Sequence, residues 1–153
     1  MDEEEAPAPT LASPKDKLIL LVDDEETIRT FLGICLTTEG FEVLTAINGV
    51  DAAARLEERT PDLIISDLMM PRQSGYEFIR SLPGASLNGV RLFVITGSVL
   101  DSSTIEMIKR EAGVHEFFTK PLKVKSFVAA VHKHLKTAPS SDRGQGGGLN
   151  DRA

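Results

Sequence analysis

The sequence predicts an α/β protein in which five parallel strands form one sheet with helices on both faces. Three observations carry this reading. Continuous apolar runs recur at Leu18–Val22, Leu63–Ile65 and Leu92–Ile95, as strands buried on both sides require. Between these runs the apolar residues switch to helical spacing. Turn residues (Gly40, Asn48-Gly49, Thr60-Pro61) punctuate the changes of period. Such strict alternation demands right-handed crossovers, and therefore a parallel, doubly wound sheet.

The elements follow in order. After the first strand, Ile28, Phe31, Leu32, Cys35 and Leu36 mark a helix that Gly40 stops. Phe41–Ala46 is the second strand, with Phe41, Val43 and Thr45 on one face, and Val50–Arg59 is an Ala-rich second helix. Leu63-Ile64-Ile65 forms the third strand, and a short third helix is expected after Gly75, ending near Pro83-Gly84. Leu92–Ile95 is the fourth strand. Ser103–Ala112 is the fourth helix, with Ile105, Ile108 and Ala112 on one side. Val114–Phe118 is the fifth strand, and Val124, Phe127, Val128, Val131 and Leu135 stripe the fifth helix.

Of the 153 residues, 41% are hydrophobic, enough for one sizeable core and one domain, over 17–136. Residues 1–16 carry five acids against Lys15 and are Pro-rich, so they read as a disordered tail; 137–153 read as a flexible Gly/Ser-rich tail. Lys+Arg number 17 against 23 Asp+Glu, a net charge of -6, which lacks the positive field that direct nucleic-acid binding uses. No apolar run approaches the roughly 18 residues that span a bilayer. The lone Cys35 permits no internal disulfide, and a cytoplasmic setting is expected.

Ligand sites in such sheets lie at the carboxyl ends of the strands. Here those ends carry Asp23-Asp24, Asp67, Thr96 and, beyond the fifth strand, Lys120-Pro121. Three carboxylates raise one another's pKa unless a cation joins them. Asp23, Asp24 and Asp67 sum to -3 and Lys120 contributes +1, leaving -2, which one divalent cation neutralises. Oxygen ligands without His or Cys select Mg²⁺, Mn²⁺ or Ca²⁺, and room for water and phosphate oxygens favours Mg²⁺. A carboxylate beside an ammonium and a metal can act as nucleophile toward phosphorus, and the Thr96 hydroxyl can donate to a phosphoryl oxygen.

Asp23-Asp24 after an apolar strand, Asp67 followed by Leu-Met-Met-Pro71 and Gly75, Thr96-Gly97 and Lys120-Pro121 together resemble the receiver domain of two-component response regulators. The resemblance spans about 120 residues. It implies a flavodoxin-like fold and a phosphoryl-accepting switch rather than an enzyme. In that reading Asp67 takes a phosphoryl group from a histidine kinase or a histidine phosphotransfer protein. Mg²⁺ would be held by Asp23, Asp24, Asp67 and the backbone carbonyl of Met69. Thr96 and Lys120 would stabilise the phosphoryl group, with the Lys120–Pro121 bond cis. Phe117 would be the aromatic switch, working by packing because it lacks a hydroxyl. Met69 and Ser98, neither acid nor amide, would give moderate to slow self-dephosphorylation. Output would pass to a downstream protein through the fourth helix, fifth strand and fifth helix, from a monomer or a phosphorylation-dependent dimer.

Other readings remain open at this point. The acids after the first strand also suit a helix N-terminus, Asp67 a loop, Thr96 an ordinary strand end, and Lys120 a solvated turn. Alternation on the fifth strand puts one of Phe117 and Phe118 inside and the other nearer solvent. His115, His132 and His134 read as surface residues. A haloacid-dehalogenase-like phosphatase is disfavoured because Met69 stands where its second Asp is needed. A flavin or nucleotide carrier lacks its glycine-rich fingerprint or P-loop. A phosphorylation-independent interaction module, or a receiver excised from a larger hybrid kinase or regulator, are the alternatives carried forward.

Overall fold

The computed structural model describes residues 10–68, 78–79, 89–97 and 100–139. Its strands are β1 (Leu18–Val22), β2 (Glu42–Ala46), β3 (Leu63–Asp67), β4 (Arg91–Thr96) and β5 (Glu116–Thr119). Its helices are α1 (Glu26–Thr38), α2 (Gly49–Glu58), α3 (Ser102–Ala112) and α4 (Val124–Leu135). The last two are the fourth and fifth helices of the sequence reading. The one expected after Gly75 lies outside the described residues, apart from Phe78 and Ile79, which are helical and buried.

All pairings are parallel, in the order β2-β1-β3-β4-β5. The five-stranded, doubly wound prediction therefore holds. β1 and β3 are buried at every position, because helices cover both faces of the sheet centre. Alternation divides the core in two. Leu20, Val22, Ile64 and Val94 face Ala52 of α2, Ile79 and Ile108 of α3. Ile19, Leu21, Ile65 and Phe93 face Leu32 and Leu36 of α1 and Phe127 and Val131 of α4.

Three expectations need correction. Phe31 is 50% exposed, not part of the buried stripe of α1. At roughly 100° per residue it falls on the flank of the face that Ile28, Leu32 and Leu36 define. His132 is buried, not on the surface: its Nε2–H donates to Glu39 Oε1 at 2.8 Å, and the Thr137 hydroxyl lies 2.7 Å from Nδ1. Phe117 and Phe118 are both half-buried, each packed against a different half of the core, so neither is the outward one.

Residues 10–16 carry structure of their own. Pro14–Asp16 is a 3-10 turn, and Ala12 bridges to Thr137, its N–H donating to the Lys136 carbonyl at 2.9 Å. No helix is long and apolar enough to cross a membrane among the described residues.

Candidate functional site

The strand order reverses between β1 and β3, so the chain leaves their carboxyl ends in opposite directions and opens a crevice there. Backbone hydrogen bonds carry the sheet into this rim. Asp23 N–H donates to the Ala46 carbonyl (3.1 Å), Leu68 N–H to that of Ile95 (2.8 Å), and Lys120 N–H to that of Thr96 (2.9 Å). Side chains at the rim are thus aimed by the sheet rather than by free loops.

Asp23 and Asp67 are buried, at 1% and 4% exposure, and Thr96 is fully buried at the end of β4. Lys120 enters from the end of β5, its stem lying beside Gly97. Its Nζ lies 3.2 Å from Asp67 Oδ2, 3.5 Å from Asp23 Oδ2 and 2.8 Å from Glu25 Oε1. The Lys120–Pro121 peptide is cis, as the resemblance implies.

The electrostatics follow from crowding. Burial pushes the Asp23 carboxyl up to about 6, and the neighbouring Asp67 charge pushes the same way. The Glu25 N–H, donating to Asp23 Oδ1 at 2.9 Å, and the Lys120 charge oppose this without cancelling it. For Lys120, burial alone would favour the neutral amine. The hydrogen bond to Glu25 and the charges of Asp23 and Asp67 outweigh it, so its pKa is raised and it remains an ammonium.

Asp23, Glu25 and Asp67 each offer an oxygen within 4.8 Å of the others. With Lys120 the group carries -2. Asp23 Oδ2 is buried and lacks a hydrogen-bond partner. A buried anionic oxygen in that state is costly, and a hard cation relieves it. The residues present therefore fit a divalent cation with oxygen ligands.

The structure thus brings Asp23, Asp67 and Lys120 together, with Thr96 at the end of the adjacent strand. Asp24 is exposed and is not among the converging carboxylates. Glu25, one of the acids between the first strand and the first helix, stands there instead. Its place over the rim depends on the Asp23–Glu25 turn, in which the Glu25 N–H donates to Asp23 Oδ1 at 2.9 Å, and residue type alone carries no signal of it. Met69 and Ser98 lie outside the described residues. Phe117 packs from β5 against the core half that holds Val94 and Ile108.

A five-stranded sheet in this order, with two buried aspartates and a lysine at the switch point, defines a receiver-type signalling domain. Residues 19–132 match the response regulator receiver domain family, and the chain belongs to it. It is 34% identical over 131 residues to the alkaline phosphatase synthesis transcriptional regulatory protein PhoP of Bacillus subtilis, covering 83% of this chain and 53% of that protein. It is 33% identical over 127 residues to the phosphate regulon transcriptional regulatory protein PhoB of Pseudomonas aeruginosa, covering 82% and 55%. The chain spans about half the length of these curated relatives. Among solved structures, chemotaxis protein CheY4 of Vibrio cholerae superposes with a TM-score of 0.71 at 27% identity, covering 78% of this chain and 98% of that one. The receiver domain of a signal transduction histidine kinase from Syntrophus aciditrophicus gives 0.69 at 31%, covering 78% and 89%.

Proposed function

We propose that this domain is a phosphoryl-accepting switch of a two-component system, with Asp67 as the acceptor. The observation that carries this is the ammonium of Lys120 held within 3.5 Å of two buried carboxylates, Asp23 and Asp67. A carboxylate oxygen of Asp67 attacks the phosphorus of a phosphohistidine on a kinase or phosphotransfer protein. The P–N bond breaks as the O–P bond forms, and the imidazole leaves with the electron pair. Lys120 follows the charge from the carboxylate to the phosphoryl oxygens. The Thr96 hydroxyl, one residue beyond the β3–β4 pair Asp67↔Ile95, supplies a donor to the product.

Asp23 and Asp67, with Glu25 or Asp24 and the Met69 carbonyl, would hold the Mg²⁺, which when bound offsets negative charge at the reacting oxygens. The new charge at Asp67 then biases a two-state equilibrium. Phe117 is its packing element, and the face formed by α3, β5 and α4 is its readout, toward a downstream protein. The names of the relatives describe transcriptional and DNA-binding regulators. Those activities belong to proteins of which this chain spans about half the length.

Incubation with acetyl phosphate and Mg²⁺, followed by intact-mass measurement, tests the reading. We expect a gain of one phosphoryl group, lost in Asp67→Asn and greatly slowed by chelation. A wild-type chain left unmodified by acetyl phosphate and by a panel of phosphorylated kinases would favour a phosphorylation-independent docking module. Labelling that survives in Asp67→Asn would place the acceptor elsewhere.

A further inference from the structure

A groove of about 980 Å³ runs along the face of α4 that carries Lys125, Val128, Ala129 and Lys133. Leu11, Val128 and Ala129 give it an apolar lining, and Leu11 is 53% exposed there. Lys125, Lys133 and Lys136, all exposed, supply positive charge along it. The one acid on its border, Glu39, receives the hydrogen bond from His132. Thr10 and Leu11 enter the groove from the end where Ala12 is pinned to Lys136 and Thr137.

We infer that residues 1–9 of this chain are the occupant of that groove. Three features argue for it. The segment leads directly into Thr10, so its effective concentration at the groove is set by a very short tether. Its composition is complementary: Asp2, Glu3, Glu4 and Glu5 carry four negative charges with no Lys or Arg, facing a groove with three lysines. Ala6-Pro7-Ala8-Pro9 is a small, stiff, apolar stretch of the kind that lies extended on an apolar floor at little entropic cost. The lengths also agree. Lys125 and Lys136 are roughly 16 Å apart along a helix at 1.5 Å per residue. Five extended residues span at most about 18 Å, so Glu5 reaches the Lys125 end from Thr10 while Pro7 and Ala8 cross Val128 and Ala129.

The acidic head therefore meets Lys125, and the Ala-Pro stretch covers the floor and the flank of Lys133. Because α4 also belongs to the face proposed above for the downstream partner, a docked segment competes with that partner. That consequence rests on the proposed function; the docking itself does not.

The test is the rate at which Lys125 and Lys133 are acetylated by a water-soluble active ester, read by peptide mass spectrometry at low salt. The full chain is compared with a version lacking residues 1–9 and with the triple variant Glu3→Lys, Glu4→Lys, Glu5→Lys. Both changes should raise labelling at these two lysines at least threefold, leaving Lys109 as an unchanged internal reference. Amide shifts of Val128 and Ala129 should move in the truncated chain and stay independent of protein concentration in the full one. Equal labelling with and without residues 1–9 would overturn the inference. So would protection that appears only as concentration rises, since a second copy would then be the occupant. Neither result depends on phosphoryl transfer, which the acetyl phosphate experiment reads separately.

Discussion

Asp23 shows what a single buried carboxylate costs. Its pKa is raised to about 6, from an ordinary value of 3.8, chiefly because burial disfavours the charged form. Between about pH 4 and pH 6 the folded state therefore holds a proton that the unfolded chain has lost. Stability falls as pH rises through that window, and by pH 7 the metal-free fold carries the full penalty. Asp23→Asn keeps the Oδ1 acceptor for the Glu25 N–H while removing the charge. In denaturant titrations without metal it should be more stable than wild type at pH 7, by at most about 3 kcal/mol. The difference should shrink toward pH 4, and Mg²⁺ should narrow it at pH 7 by stabilising only the wild type. An equal gain at both pH values would show that charge is not its source. The same proton competes with metal, so Mg²⁺ affinity should weaken as pH drops below about 6. Asp23, Asp67 and Lys120 were legible as site residues because each stands where an apolar run ends, and a strand end has one address in a parallel sheet. Glu25 was not, because its position depends on a turn that reverses its side chain. His132 was misread for a similar reason. Its place beside Val131, four residues after Val128, sets it on the apolar stripe, but its polar partners Glu39 and Thr137 come from distant segments.

At the scale of elements, helix ends are decided by backbone conformation. Gly113 closes α3 with φ of 70° and open space where a Cβ would stand. Gly40 follows α1 with φ of 105°, and a Cβ there would meet Pro14 Cβ at 3.1 Å. Gly113→Ala should cost about 1 kcal/mol, the strain of a left-handed alanine. Gly40→Ala should cost about 2 kcal/mol, adding displacement of the Pro14–Asp16 turn. Thermal or denaturant unfolding checks the order; equal losses would mean that Pro14 yields freely. Gly40 was readable from the sequence as a stop signal, whereas its contact with Pro14 was not. Nothing in the local sequence says that the leading segment folds back across the end of α1. The two β5 phenylalanines make the same point. Alternation sends them to opposite faces, yet at an edge strand each face is only partly covered, so both end up half-buried.

For the whole molecule, stability rests on two core halves held apart by one sheet. Phe93 is fully buried in the half shared with α1 and α4. Its ring lies 5.5 Å from that of Phe118, 6.5 Å from Phe127 and 5.1 Å from His134, centroid to centroid. It thus joins β4 to β5 and α4. Phe93→Ala should destabilise the domain by about 3–5 kcal/mol, measured by denaturant unfolding. A loss under about 1 kcal/mol would mean that the aromatic cluster collapses into the space.

The order and kind of the five strands and of the four described helices, the parallel sheet, and Asp23, Asp67, Thr96 and Lys120 at its rim followed from the sequence alone. Periodicity and turn residues are local, and parallel strands oblige their carboxyl ends to share one edge. Only the tertiary structure decided that Glu25 rather than Asp24 converges on Lys120, that His132 is interior, and that residues 10–16 brace the end of α4. Each of these depends on contacts between segments far apart in the chain, where side-chain direction and the path of a loop outweigh residue type.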